Sequence, residues 1–117
     1  MSHVCNIVLL MSTLEEVDDR IPALERLNQW LSSQSKGQLH RVDGYGSNSK
    51  VMECIVAIGA FNYLHLEEFL RVFRGAGWED VEGLSLMVMD EGEERFREVR
   101  LDHFASQAAC PNKYTAS

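Results

Sequence analysis

The amino-acid sequence predicts an α+β domain in which two helices cover one face of a mainly antiparallel sheet. Two observations lead to this prediction. The hydrophobic period changes along the chain in the order β-α-β-β-α-β, with one more strand after it. The first and third predicted strands are apolar on both faces, as interior strands are, whereas the second is polar enough for a sheet edge.

The first strand is predicted over His3–Met11, where both alternating sets of side chains are mostly apolar. Ser12 and Thr13 each have a glutamate three residues later, a capping-box pattern that predicts the start of a helix. Pro22 interrupts the helical stripe that follows. Either the helix is kinked there, or a short turn precedes a main helix that begins at Pro22. Residues 35–37 end this element.

The second strand is predicted over residues 38–43, which alternate between polar and apolar side chains. A glycine-rich loop over residues 44–49 leads into the third strand, residues 51–61. Only Glu53 and Gly59 interrupt its apolar character, which places this strand in the middle of the sheet.

The second helix is predicted from four apolar residues at i, i+3, i+4 and i+7, namely Leu66, Phe69, Leu70 and Phe73. Asn62 is the candidate for its N-terminal cap. Gly75 or Gly77 is expected to end it in a left-handed turn.

Residues 84–90 predict a fourth, apolar strand, and residues 94–101 predict a charged fifth strand beyond it at the sheet edge. Residues 102–110 are expected to form a short helix, so that one domain spans residues 1–110 and residues 111–117 form a flexible tail. This order of elements resembles the ferredoxin-like superfold, βαββαβ with an additional C-terminal edge strand. The resemblance is one of topology alone, and that superfold carries many unrelated functions.

One face of the predicted sheet has no helix to cover it, although three strands contribute Val, Ile, Leu, Met or Ala to it. Monomers rarely leave such an apolar patch exposed. We expect a second copy of the chain to cover this face. Residues 102–110 and another partner are the alternatives.

Composition limits the classes of partner and the cellular compartments that suit this protein. The 117 residues carry a net charge of −7, with a pI near 5.0, and the central strands offer no aromatic platform. These features exclude a nucleic-acid partner, which needs clustered Lys and Arg or exposed aromatic residues. Three cysteines without CxxC spacing indicate a reducing compartment, and no signal peptide or membrane span is visible. We therefore expect a cytoplasmic protein that does not act on membranes.

Motifs for catalysis and metal binding are missing from the sequence. The four histidines are scattered, and no zinc, calcium or nucleophile-elbow pattern occurs. The sequence therefore predicts a protein that is not an enzyme and that has no metal or cofactor.

Two hypotheses for the function follow. The first is a small acidic interaction module, a homodimer that binds a basic protein as an inhibitor, immunity-type or regulatory factor. Its interaction residues would be Asp90, Glu91, Glu93 and Glu94. The second is a dimeric α+β-barrel that binds or oxidises a small molecule. Its contacts would come from His40, Tyr45, Tyr63, His65 and Trp78.

Overall fold

The computed structural model of the chain describes residues 4–42 and 54–101. These ranges contain β1 (Val4–Met11), α1 (Pro22–Ser33), β2 (His40–Arg41), β3 (Ile55–Asn62), α2 (Leu66–Arg74), β4 (Ser85–Met89) and β5 (Arg97–Val99). Single 3-10 turns lie at Thr13–Glu15 and Val81–Gly83. The prediction of an α+β domain with an antiparallel sheet and two helices is confirmed. Tyr45, the predicted helix at residues 102–110 and the predicted tail lie outside the described residues.

The five strands form one sheet in the order β2-β3-β1-β4-β5, and all neighbouring strands are antiparallel. Three strands are therefore interior, and β2 and β5 form the edges. Both edge strands are shorter than the sequence predicts, with two and three residues. Short edge strands offer little unpaired backbone to another chain.

One hydrophobic core joins the sheet to both helices. Alternate residues of β1 are fully buried, namely Cys5, Ile7, Leu9 and Met11. They share a single cluster with the apolar faces of the helices, including Leu27 and Leu31 of α1 and Phe69 and Phe73 of α2. The other alternate set of β1 is only half-buried. The helices therefore bury one face of the sheet and leave the other face partly exposed.

The chain between β1 and α1 resolves the ambiguity at Pro22. A short turn precedes a helix that begins at Pro22, where the missing backbone N–H costs no hydrogen bond. Between the 3-10 turn and α1, Val17 pairs with Arg20 in an antiparallel bridge. The two residues of the turn that joins them, Asp18 and Asp19, have positive φ. Such φ values are tolerated best by Gly, Asn and Asp.

The predicted capping box is wrong in its second half. The Ser12 hydroxyl does accept a hydrogen bond from the backbone N–H of Leu14, at 3.1 Å. Glu15 does not return the bond to Ser12. Its carboxylate is buried and bonds to the chain beyond α2 instead.

The predicted cap of α2 is also wrong. Asn62 is the last residue of β3, and His65 takes the capping position without a side-chain hydrogen bond. Gly75 follows the helix with φ of −95°, so the left-handed conformation occurs two residues later, at Gly77 with φ of +85°. Trp78 comes next and is buried against α2.

Candidate functional site: the open face of the sheet

The sheet face opposite the helices is an apolar surface that the described residues leave partly exposed. We call it the open face. Its apolar members come from three neighbouring strands: Val4, Val8, Leu10, Val56, Ile58, Ala60, Met87 and Met89. Most of them are half-buried, and Ile58 is 40% exposed. The open face therefore exposes parts of branched and flexible apolar side chains.

Strand register aligns five of its residues in one line, which we call the central row. Ile58 lies opposite Val8, and Val8 lies opposite Met87. At the edges, His40 pairs with Ile58, and Glu98 pairs with Met87. Directly opposite residues point to the same side of a sheet. The central row thus has an apolar middle, with an imidazole at one edge and a carboxylate at the other.

The next row contains the one polar side chain of β1 on this face. Asn6 lies between Ala60 and Met89. Its side-chain amide donates a hydrogen bond to the backbone carbonyl of Met89, at 3.3 Å. This bond joins β1 to β4 on the open face and uses one of the two N–H donors of the Asn6 amide.

The four predicted acidic residues lie together in the connection from β4 to β5, which we call the acidic turn. The turn is organised by Glu93, whose backbone N–H donates to the carbonyl of Asp90 at 3.0 Å. Its carboxylate accepts from the backbone N–H of Asp90 at 2.7 Å and from Nε of Arg97 at 2.9 Å. The Asp90 carboxylate in turn accepts from the N–H of Glu91 at 2.9 Å.

These contacts give the Glu93 carboxylate a structural role in the acidic turn. The N–H of Asp90, and then the Arg97 guanidinium, hold the pKa of the Glu93 carboxyl below its usual range, because both stabilise the charged form. Glu93 is therefore committed to the turn itself. Glu94 has an exposed side chain and takes part in none of these hydrogen bonds, so it is the better candidate for contact with a basic partner. Sequence analysis did not distinguish Glu93 from Glu94, because the hydrogen bonds of a turn depend on backbone geometry.

The residues predicted to hold a small molecule are spread over several parts of the fold. His40 is exposed on the edge strand β2, and Tyr63 and His65 are exposed in the connection from β3 to α2. Trp78 is only 4% exposed, and its indole N–H donates to the carbonyl of Phe73 at 2.7 Å. Its ring lies 5.0 Å from that of Phe73. Tyr45 lies outside the described residues, so the ligand site stays a prediction.

An open cavity of about 600 Å³ lies beside the end of β5, between residues 81–84 and residues 98–101. It contains none of the predicted ligand contacts. Within residues 4–42 and 54–101, His, Cys, Asp and Glu side chains form no cluster that could hold a metal ion.

A buried carboxylate is the feature that sequence analysis missed. Glu15 is 1% exposed, and its two oxygens accept from the backbone N–H groups of Glu79 at 3.0 Å and Asp80 at 2.8 Å. Both oxygens therefore hold the chain beyond α2 against the turn that follows β1. Glu15 is the last residue of a 3-10 turn, and the sequence gave no signal for this role because its partners lie more than 60 residues away.

Comparison with known proteins gives no relative for this chain: no family model, curated protein or solved structure matches it. In the part of the chain that the structure describes, neither helix has the length and apolar character needed to cross a membrane.

Proposed function

We propose that this protein is a non-enzymatic interaction module of the cytoplasm. It has ferredoxin-like topology and forms a homodimer through the open face of its sheet. As a dimer it binds another protein, as an inhibitor, immunity-type or regulatory factor. The observation that carries the proposal is the apolar middle of the central row, where Ile58, Val8 and Met87 lie side by side on a face without a helix.

The hydrophobic effect supplies the reason for dimerisation. Burying apolar surface gains roughly 25 cal/mol per Å², and specific interfaces bury about 800 Å² on each partner. Flat sheet faces pack well on each other, because side chains of the two inner faces interdigitate. A symmetric dimer covers the same patch on both copies at once.

The acidic turn supports the second half of the proposal. It lies at one end of the β4–β5 hairpin, so it is a surface separate from the open face. Net charge of −7 and the exposed carboxylates of Glu91 and Glu94 favour encounter with a basic protein surface. A dimer presents two such turns.

The topology proposed here rests on the strand order and on the two helices. In β2-β3-β1-β4 the first strand lies between the third and fourth, and the second lies at the edge. Both helices contribute to the same core as the buried face of β1. Each of these features is expected of a ferredoxin-like sheet.

The test is the mass of the protein in native mass spectrometry, after gentle purification from its source cells. We expect a dimer without additional mass. Ile58→Lys places a charge in the middle of the proposed interface and should produce monomers. Leu14→Lys is the matched control, because Leu14 is 68% exposed but lies outside the sheet, and this variant should remain dimeric.

Two results would overturn the proposal. A monomeric wild type would show that the open face does not join two copies. A dimer that carries a stoichiometric small molecule would replace the interaction module with the α+β-barrel hypothesis and with contacts such as His40 and His65. Circular dichroism of Ile58→Lys and Leu14→Lys checks that each variant is folded before its mass is interpreted.

A further inference from the structure

We infer that the two copies of the dimer are related by a two-fold axis that runs along the strands, so that His40 of each copy lies against Glu98 of the other. The inference rests on the proposed function, because it specifies how the proposed dimer is arranged. Its basis is the position of these two residues at opposite ends of the central row.

The edges of the central row are separated by four strand spacings. At about 4.8 Å for each spacing, the β2 and β5 positions lie roughly 19 Å apart within one copy. Both His40 and Glu98 have exposed side chains, and both are paired with residues of the open face. They are too far apart to contact each other within one chain. A second sheet packed about 10 Å away is within reach of both.

Two orientations of a symmetric face-to-face dimer keep the strands aligned. In one, the two-fold axis runs along the strands, and each central row faces the other row in reverse order. Val8 then faces Val8, Ile58 faces Met87, and His40 faces Glu98. In the other orientation, the axis runs across the strands. Each residue of the row then faces the same residue of the other copy. His40 then faces His40, and Glu98 faces Glu98.

Charge distinguishes these two orientations. The axis across the strands brings two Glu98 carboxylates together at one edge of the interface, and like charges in an interface cost free energy. The axis along the strands places an imidazole against each carboxylate, at both edges. The same axis also pairs the branched Ile58 with the flexible Met87 in the apolar middle, and methionine adapts readily to the shape of its partner.

A cross-linking experiment tests the orientation directly. His40→Cys and Glu98→Cys are introduced singly and together, in a background of Cys54→Ser and Cys110→Ser. Each protein is treated with a bis-maleimide that spans about 10 Å, which is one sheet-to-sheet distance. This reagent cannot join positions 40 and 98 within one copy, because they lie roughly 19 Å apart. Peptide mass spectrometry identifies the linked positions.

We expect covalent dimers from the double variant, with links between positions 40 and 98. The yield of covalent dimer from either single variant should be at least tenfold lower. Links from 40 to 40 or from 98 to 98 in the single variants would overturn the orientation. A dimer without any link in the double variant would overturn it as well. Neither result would affect the proposed dimer, whereas a monomeric wild type would overturn both.

Charge exchange provides a second, independent measurement. His40→Glu places two carboxylates together at each edge and should raise the dimer dissociation constant about tenfold. Adding Glu98→Lys should restore the dissociation constant, because each glutamate then faces a lysine. With the axis across the strands, the double variant would place glutamate on glutamate and lysine on lysine. Failure of the second substitution to restore affinity would therefore exclude the inferred orientation.

Discussion

The carboxylate of Glu15 accepts a hydrogen bond of 2.8 Å from the backbone N–H of Asp80, which lies 65 residues further along the chain. Its second oxygen accepts from the N–H of Glu79 at 3.0 Å. The two bonds join the 3-10 turn after β1 to the chain that leads into β4. A single buried side chain thus pairs two backbone N–H groups from a distant part of the chain.

Replacing this carboxylate should destabilise the fold. In Glu15→Ala, two backbone N–H groups lose a charged acceptor, and we expect the free energy of unfolding to fall by about 3 kcal/mol. Glu15→Gln keeps one acceptor oxygen and should cost about half as much. Urea denaturation followed by circular dichroism measures both changes.

The neighbouring Glu16 supplies the control for Glu15. Glu16 is only partly buried and pairs with Arg41 at 3.1 Å, so Glu16→Gln should change stability by less than about 1 kcal/mol. Equal losses for Glu15→Gln and Glu16→Gln would show that the buried carboxylate has no special role.

Gly59 is required by the ring of Phe61. A Cβ atom at position 59 would lie 2.6 Å from Cζ of Phe61 and 3.2 Å from Cδ2 of Leu39. Since Phe61 is 2% exposed and fully packed, its ring has little room to move. We expect Gly59→Ala to destabilise the protein by about 1–3 kcal/mol, as overpacking does in other cores.

Gly75→Ala is the matched control for this prediction. Gly75 has an ordinary φ of −95°, and a Cβ atom there would meet only backbone oxygens at 3.7 and 3.9 Å. Its effect should stay within about 0.5 kcal/mol, which is usual for surface positions. Thermal melts of both variants would contradict the prediction if Gly59→Ala were as stable as Gly75→Ala.

Gly59 also illustrates how far the sequence determined the fold. Alternation in β1 and β3 predicted interior strands that are apolar on both faces, and Pro22 predicted either a kink or the start of the first helix, because these signals are local. Gly59 was visible only as an interruption, since the ring that requires it sits two residues away on a strand whose packing was not known. Asn62 was mistaken for a cap because a strand end and a helix start attract the same residue types.

The candidate site was predictable only in outline. Apolar residues on both faces of three strands indicated that an open face exists. Its central row depends on register, which brings His40, Val8 and Glu98 into line from three distant parts of the chain. Register is fixed by packing and turn geometry and not by any one strand. The structural role of Glu93 in the acidic turn was likewise not predictable, because it depends on hydrogen bonds that only the structure shows.

Cys5 should be unreactive in the folded protein. Burial, and to a smaller degree the charge of Asp90, raises the pKa of its thiol from 9.0 to about 11. The thiolate is the reactive form, so we expect iodoacetamide at pH 8 to label native Cys5 about 100-fold more slowly than the unfolded chain. Cys54 is only half-buried and should be labelled before Cys5. Peptide mass spectrometry with and without urea measures the two rates.

The same pKa shift has a consequence for stability at high pH. The folded state holds the Cys5 proton more tightly than the unfolded state does. The free energy of unfolding should therefore fall as the pH rises from about 9 towards 11. Cys5→Ala should show a shallower fall than wild type. An identical slope in wild type and Cys5→Ala would contradict the assignment.

Glu93 should make the acidic turn sensitive to low pH. Its pKa is lowered in the folded protein, first by the backbone N–H of Asp90 and then by Arg97. A group with a lowered pKa stabilises the fold above its unfolded pKa of about 4.3–4.5, and this contribution is lost as the pH falls below that value. Glu93→Gln should therefore melt below wild type at pH 7, and the difference should disappear towards pH 2.

A site-specific comparison is needed because Glu25 acts in the same pH range. Its pKa is lowered by its hydrogen bond to Arg20, so wild type alone would show the two effects together. Glu94→Gln is the control, since Glu94 is exposed in the same turn. At each pH between 7 and 2, this variant should have the same melting temperature as wild type. If Glu93→Gln and Glu94→Gln melted alike at every pH, the turn would not depend on the Glu93 carboxylate. In that case Glu93 would be as good a candidate for contact with a basic partner as Glu94.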